Sequence, residues 1–423
     1  MIKKALALWK IERSKKGTSL HRRLLIFFLL VSTSLILIFA LLLSLFGITG
    51  KEAKAVKSHI DTELSIMTGK INEDFGRLSL GGIAIAEDLA ERSEDFFDEH
   101  DLSADELQAD PELIEPLLSE YMNTLIATVN NRYCGGAFVM LDATITDNSE
   151  TAKAGVFIKK TQPTATNAVG VQLHYLRGPA QIARDNGIML LGQWKMEFDI
   201  TDQDFFTDVM DTARAYPELE LSRLYYWSGR VVLKGNSEAG FLLCVPLRTS
   251  EGEVFGLCGV EVSDRMFKSL YTPEGGSFES IFTTMSPRCE NGLGTSKGLV
   301  AGNTYLTGTR WEYDLSDEES HEGFHHYSGG GQLYGGKSAG LHLYPNGSPY
   351  ADQEWSCSIL MPKDILHEAV KGNTSYFIYS IIVLLIISVL ASAIISRYYL
   401  RPVNQAFDQI KNNAYAGNDG QER

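Results

Sequence analysis

Between Ser316 and Gly331 the chain reads SDEESHEGFHHYSGGG, which sets His321, Glu322 and His325 in the spacing H-E-x-x-H. On a helix, residues four apart share a face, so both imidazoles reach one zinc ion while the glutamate polarises a bound water. That chemistry exists only if the helix does. Gly323 falls inside the motif, Ser328 to Gly331 follow at once, and QLYGGKSAGLHLYP beyond them alternates like a strand. The stretch therefore reads as a solvated histidine-rich loop. A zinc site on His321 and His325, in a membrane-anchored ectoenzyme, stands as the alternative. A second pattern, GTSKG from Gly294 to Gly298, fits G-x-S-x-G, whose serine is a nucleophile only on a tight turn between strand and helix. The following LVAGNTYLTGTRWEY reads as strand, so no catalytic residue is assigned, and no cofactor is expected.

The elements that would position such residues begin with two apolar runs in a chain of 423 residues and net charge −15. Residues 24–48 and 376–395 hold no charged side chain, and each is long enough to span a bilayer as a helix. The first exceeds the core of a secretory signal and lacks a good small-residue cleavage site, with Ala53 and Ala55 the nearest candidates, so it is read as retained. Residues 1–23 carry eight Lys or Arg against one acid, and Arg397 and Arg401 flank the second run. Basic flanks stay in the cytoplasm, which places both termini inside and the central segment outside. Residues 49–375 hold 26 basic and 49 acidic side chains. This surface is unsuited to nucleic acid or anionic lipid and suited to attracting cations.

All five cysteines lie in that outer segment, none in CxxC spacing. Cys244 and Cys258 sit on neighbouring apolar runs and read either as packed thiols or as a bridge. Beyond the first apolar run, Ile60, Leu64, Met67, Ile71, Phe75 and Leu78 recur in steps of three and four, one apolar stripe on a long helix. Such a stalk can pair with its copy in a dimer or pack on its own domain. Strand signals start after Asn131 with GGAFVMLDAT and AKAGVFIKK, and GIMLLGQWKMEF looks similar. TDQDFFTDVMDTARAY has helical spacing. The clearest hairpin is GFLLCVPLRTSEGEVFGLCGVEVS, in which Gly256 and Gly259 predict close approach of another backbone or a bulge.

This order of a span, a long amphipathic helix, a mixed α/β region, the PLRTSEGEVFGLCGVEVS hairpin, a smaller β-rich region, the EWSCSILMPKDIL strand and a second span resembles the double-Cache sensor domains of bacterial transmembrane receptors. The likeness covers roughly residues 50–372. SRYYLRPVNQAFDQIKNN, with Pro402, Phe407 and Ile410, resembles the start of a HAMP-type signalling linker. The resemblance implies an α+β fold: a long N-terminal amphipathic helix with two tandem PAS-like antiparallel-sheet modules, flanked by two transmembrane helices. The implied division is 1–23 cytoplasmic, 24–48 first span, 49–270 stalk and membrane-distal module, 271–375 membrane-proximal module, 376–395 second span and 396–423 a truncated linker.

In members of that family that bind amino acids, the distal pocket holds its ligand between aromatic rings, with an Arg for the carboxylate and an Asp for the amine. Carried over by position, Phe205 and Phe206 fall on the family's Trp-Tyr pair, Gln203 on its Arg, and Glu261 on its Asp. Tyr225, Tyr226 and Trp227 fall near a later pocket Tyr, with Trp194 as a further member. The missing Arg argues against α-amino acids. Glu261 among aromatic rings remains suited to an amine or other cation. The implied function is a homodimeric cell-membrane receptor that signals to an effector absent from this chain, a helix-turn-helix domain, kinase or cyclase. The implied partners are a small molecule outside the cell and the bilayer, with no nucleic acid contact.

Overall fold

The structure, a computed structural model, describes residues 20–45, 51–131, 134–146, 151–160, 172–274, 280–303, 311–321, 323–371 and 374–418. Most of the basic N-terminal segment, and Glu322, lie outside them. The chain divides into two compact units, residues 1–56 with 367–423 and residues 57–366.

In the first unit, helices Leu20–Leu45 and Thr374–Asn418 lie side by side, and the Ser388 hydroxyl donates to Ser32 Oγ at 2.6 Å. Leu35, Phe39, Ile378, Ile387 and Leu390 are more than half exposed, the reverse of a water-soluble helix pair. Among the described residues, one stretch, Ile378–Ile395, is long and apolar enough to cross a membrane. The apolar stretch described in the first helix, Ile26–Leu41, is shorter than that, so two flanking spans are supported at the second position only.

The second unit is organised by the helix Lys51–His100. All six residues of the expected stripe, Ile60, Leu64, Met67, Ile71, Phe75 and Leu78, are buried, and Ile85 and Leu89 continue it. Two sheets flank this stripe. The strands of the first are β1 (Gly136–Leu141), β3 (Gly155–Lys160), β4 (Leu173–Arg177), β5 (Met189–Lys195), β7 (Tyr226–Trp227), β8 (Gly240–Arg248) and β9 (Val254–Ser263), with β2 (Ala152–Lys153) and β6 (Phe198–Asp199) forming a separate pair. The order is β5-β4-β3-β1-β9-β8-β7, antiparallel except for the edge pair β4–β5, which is parallel. A helix joins β4 to β5, as a parallel connection requires.

The second sheet contains β10 (Phe282–Cys289), β11 (Gly292–Leu293), β12 (Leu299–Gly302), β13 (Leu315–His321), β14 (Phe324–Gly329), β15 (Gln332–Leu341) and β16 (Trp355–Pro362) in the order β11-β13-β14-β15-β16-β10-β12, all antiparallel. Because β11 also bonds to β10, the pairings close into a ring. An aromatic column joins the two sheets at the helix. Phe75 packs on Trp227 at 4.6 Å, and Phe241 of the first sheet meets Trp355 of the second at 5.3 Å. The whole is a mixed α+β structure.

The two glycines inside β9 have the role expected of them. A Cβ on Gly259 would lie 1.6 Å from the backbone oxygen of Leu243, and one on Gly256 would lie 2.4 Å from that of Met140. Neither neighbour is a side chain that can rotate away. Gly259→Ala should therefore cost about 3 kcal/mol or more, the upper range of overpacking, because strands β8 and β9 must part. Urea unfolding of the purified chain followed by tryptophan fluorescence measures it, and a loss below about 1 kcal/mol would contradict the close approach.

Candidate functional site

Side chains alternate across a strand, so the register assigns each residue of the first sheet to a face. Lys159, Gly136, Glu261 and Leu242 are consecutive partners across β3, β1, β9 and β8. Phe157, Phe138, Gly259 and Cys244 form the next row on the same face. Tyr226 pairs with Cys244 and joins that face from β7. Helix Phe205–Ala215 covers it, burying Phe205, Phe206, Val209 and Met210 against Phe138, Phe198 and Leu242. The sequence thus brings Phe205, Phe206, Tyr226 and Glu261 to one face, as the resemblance implies.

That face is already supplied with cations by the chain itself. Glu261 is 3% exposed, and the Lys159 ammonium lies 3.0 Å from one of its oxygens and 2.8 Å from the other. The same ammonium donates to Glu238 at 3.0 Å. The pair spans two strands because Gly136 stands between them without a side chain; a Cβ there would lie 2.9 Å from Lys159 Cγ. A second lysine, Lys153, sits 5.2 Å over the Phe206 ring and is held by Asp142, which also binds Arg214. An incoming amine would have to displace Lys159 from Glu261. Sequence reasoning did not single out Lys159, although its place two residues after Phe157 in GVFIKK put it on the covered face.

Arg177, also not foreseen, is 1% exposed and bonded only to neutral acceptors. Its guanidinium donates to the carbonyls of Leu176, Gln193 and Lys234 and to Asn236 Oδ1, at 2.8 to 3.1 Å. Burial without a carboxylate pulls it down to about 10. It ties β4 and β5 to the 233–236 turn.

The remaining candidates lie elsewhere. Trp227 follows Tyr226 and therefore points to the opposite face, where its indole N–H donates to Ser79 of the long helix at 3.0 Å. Tyr225 donates to the Leu343 carbonyl at 2.7 Å and stacks on Tyr344. Trp194 is half-buried on edge strand β5, donating to the Gly178 carbonyl at 2.9 Å. The four-residue convergence of Phe206, Tyr226 and Trp227 with Glu261 is thus not formed, because adjacent strand residues cannot share a face. What Tyr225 and Tyr226 do reach is the second module. Tyr226 packs on Tyr350 at 4.8 Å, Tyr344 binds the backbone of Trp227, and Ser348 donates to the Arg223 carbonyl at 2.8 Å.

The H-E-x-x-H stretch forms no helix. His321 ends β13, Gly323 turns the chain at φ +80°, and His325 lies on β14, with His321 paired to Phe324. The face that would bring both imidazoles to one metal ion does not exist, and no group of three or more His, Cys, Asp or Glu among the described residues could hold one. In GTSKG a single 3-10 turn, Thr295–Lys297, leads into strand β12, and Ser296 donates to Asp314 at 2.6 Å, so there is no nucleophile elbow. Cys244 and Cys258 project from opposite faces of paired strands, which excludes a bridge between them.

No family model matches the chain, and no curated protein matches it in sequence. Solved structures similar to it include sensory domains of chemoreceptors. The sensory domain of Campylobacter jejuni chemoreceptor Tlp3 is 9% identical, with 75% of this chain and 96% of that one covered at a TM-score of 0.35. The periplasmic sensory domain of Campylobacter jejuni Tlp1 is 12% identical over 75% and 99%, TM-score 0.39. The ligand-binding domain of the Pseudomonas aeruginosa PAO1 amino acid chemoreceptor PctB, solved with L-Arg, is 14% identical over 74% and 98%, TM-score 0.37.

Burial pushes the Glu261 carboxyl above its ordinary range, outweighing the opposite pull of Lys159. Burial also acts to lower Lys159, but Glu261 and Glu238 together hold it above its usual value. An acid with a higher pKa folded than unfolded binds more protons when folded. Its contribution to stability is full below the unfolded value, about 4.3, and is lost as pH rises through the folded one. Glu261→Gln removes this loss and leaves Lys159 with Glu238. Its stability relative to the parent should therefore improve as pH rises above about 4 in urea unfolding. Lys159→Met, which strands a buried carboxylate, should cost about 3 to 5 kcal/mol at neutral pH. A Glu261→Gln variant that loses ground steadily with rising pH would contradict this arrangement.

Proposed function

We propose that the chain is a transmembrane signalling receptor of the double-Cache kind. Its outer segment, residues 49–270 and 271–375, binds a small molecule, and its second span hands the resulting shift to a cytoplasmic effector through a HAMP-like helix. The observation that carries this reading is mechanical. Two sheet modules pack on one 50-residue helix and are clasped to each other through Tyr225, Tyr226, Tyr344 and Tyr350. Tyr350 also reaches the carbonyl of Asp208 in the helix that covers the first sheet, at 3.5 Å. A displacement of that covering helix is therefore felt in the second module. No reaction centre competes with this reading among the described residues, since neither motif with catalytic spacing has the backbone its chemistry needs. An amine or other cation remains a ligand for the first module only if it exchanges with Lys159 at Glu261.

The topology that follows has both termini in the cytoplasm, the central segment outside, and a homodimer in the membrane. A reporter fused after Arg423 should score as cytoplasmic and one inserted near Ser328 as external, since the Lys and Arg flanks lie inside. The opposite pattern would overturn the receptor. The clasp has its own test. The outer segment of the parent should melt in one transition, and Tyr344→Ala with Tyr350→Ala should split it into two by calorimetry, because each module keeps its own core once the rings between them are gone. A single unsplit transition at the parent temperature would show that the clasp carries no coupling.

A further inference from the structure

The inner face of the second ring is built of rings and hydroxyls. Phe282, Trp311, Tyr313 and Tyr334 pack together, with centroids 5.2 to 5.8 Å apart between neighbours. Next along the same face, Thr284 and Ser286 of β10 pair with Ser358 and Ser356 of β16, and Ser358 pairs in turn with Ser338 of β15. A relay runs over part of this patch: Tyr327 Oη and Ser338 Oγ are 2.7 Å apart, and Ser338 donates to Ser358 at 2.8 Å. Ser356 donates to the Ser286 carbonyl at 3.3 Å.

Among the described residues, three polar atoms on this face have no hydrogen-bond partner: Thr284 Oγ1, Ser286 Oγ and Trp311 Nε1. Thr284 and Ser286 are fully buried and Trp311 is nine-tenths buried. A buried donor or acceptor left unpaired is costly, and such groups in a folded protein call for a bound partner. The patch is also next to an opening. Ser286 and Ser356 are the pair adjacent to Pro287 and Trp355, the last pair that β10 makes with β16. There a cavity of about 560 Å³ is lined by Pro287, Arg288 and Gln353 together with four acids, Glu290, Asp317, Asp352 and Glu354. Arg288 extends from the same strand face as Ser286, two residues on.

We propose that this ring is a binding site for a neutral, hydroxyl-rich molecule of monosaccharide size, entering through that cavity. Hydroxyls donate and accept, so Thr284 and Ser286 match a partner that does both, while the Trp311 indole supplies one further donor. The charged side chains of this face, Arg288 and Asp317, are exposed at its mouth and none is buried beside Thr284 and Ser286, which favours a neutral group against those hydroxyls. The aromatic cluster beside the hydroxyls suits the C–H face of a sugar or cyclic polyol. The proposal names a ligand class and a location for the receptor read above, but binding itself does not depend on signalling.

The test uses the purified full chain in detergent with D-glucose, D-galactose, myo-inositol and glycerol as probes. At about 10 mM, at least one should raise the melting temperature and give saturable heat on titration, because a ligand bound only to the folded state stabilises it. Thr284→Val keeps the shape of the side chain and removes an unpaired hydroxyl. Unliganded, it should melt no lower than the parent, and its affinity for the probe should fall about tenfold or more. Ser286→Ala should behave likewise, and Glu261→Gln in the other module should keep the probe's shift. Silence from all four probes would overturn the proposal, as would a lowered melting temperature in both unliganded hydroxyl variants or an undiminished shift when both hydroxyls are removed. The location of reporters after Arg423 and near Ser328 is read independently, so failure of this site and failure of the receptor topology are distinguishable.

Discussion

Burial of one apolar stripe on the Lys51–His100 helix is the constraint from which the rest of the second unit follows. Each large apolar side chain on that stripe gains about 1.5 to 3 kcal/mol by leaving water, and both sheets use the same stripe to do so. A sheet that gives one face to the helix has only the other left for a site. The consequence is visible in neighbours: Trp227 serves the helix through Phe75 and Ser79, while Tyr226, one residue earlier, faces the covering helix and Tyr350. The tight fit has local costs met by glycine. Gly82 lies on the stripe where any Cβ would touch Leu243 at 2.5 Å, and Gly259 lies where strand meets strand.

Two buried cations in the first module are accommodated by opposite means. Lys159 is neutralised by carboxylates drawn from two other elements, an arrangement in which mutual attraction must offset the desolvation of both charges. Arg177 has no acid and is instead surrounded by carbonyls that bind its planar fork from several directions. The first mode leaves a titrating group in the core; the second makes a rigid joint. The excess of acidic over basic side chains in residues 49–375 has a separate effect, raising the local concentration of cations without selecting among them.

The second module differs in how its inner face is furnished. Where the first sheet is filled by Phe138, Phe157, Phe206 and Met210, the second ring leaves a tract of small hydroxyl side chains beside its aromatic cluster. Loops that would elsewhere be free surface are engaged: the segment carrying Tyr344, Ser348 and Tyr350 lies against the first module and makes one mechanical body of two cores. The division of labour that results is an occupied first face, a polar second interior, and a clasp between them.

Local pattern determined a good deal by itself. The six-residue stripe is legible because a helix brings every third or fourth residue to one line whatever surrounds it, and the β8–β9 hairpin because TSEGE turns between two apolar runs. The failure of H-E-x-x-H and GTSKG was legible too, since both chemistries need a helix, which glycines oppose in the first and a strand-like run replaces in the second. The sequence placed Glu261 and Phe206 on one face through the family likeness. Only the tertiary structure decided what meets them there. Lys159 is 102 residues from Glu261, and their meeting depends on the β3-β1-β9 order and on Gly136 being bare, which no local pattern encodes. Tyr225, Tyr226 and Trp227 read as one aromatic run along the chain, yet strand alternation and the position of the second module send them to three different partners. Pairing order and face are properties of the assembled sheet, set by long-range burial, and short-range spacing carries no record of them.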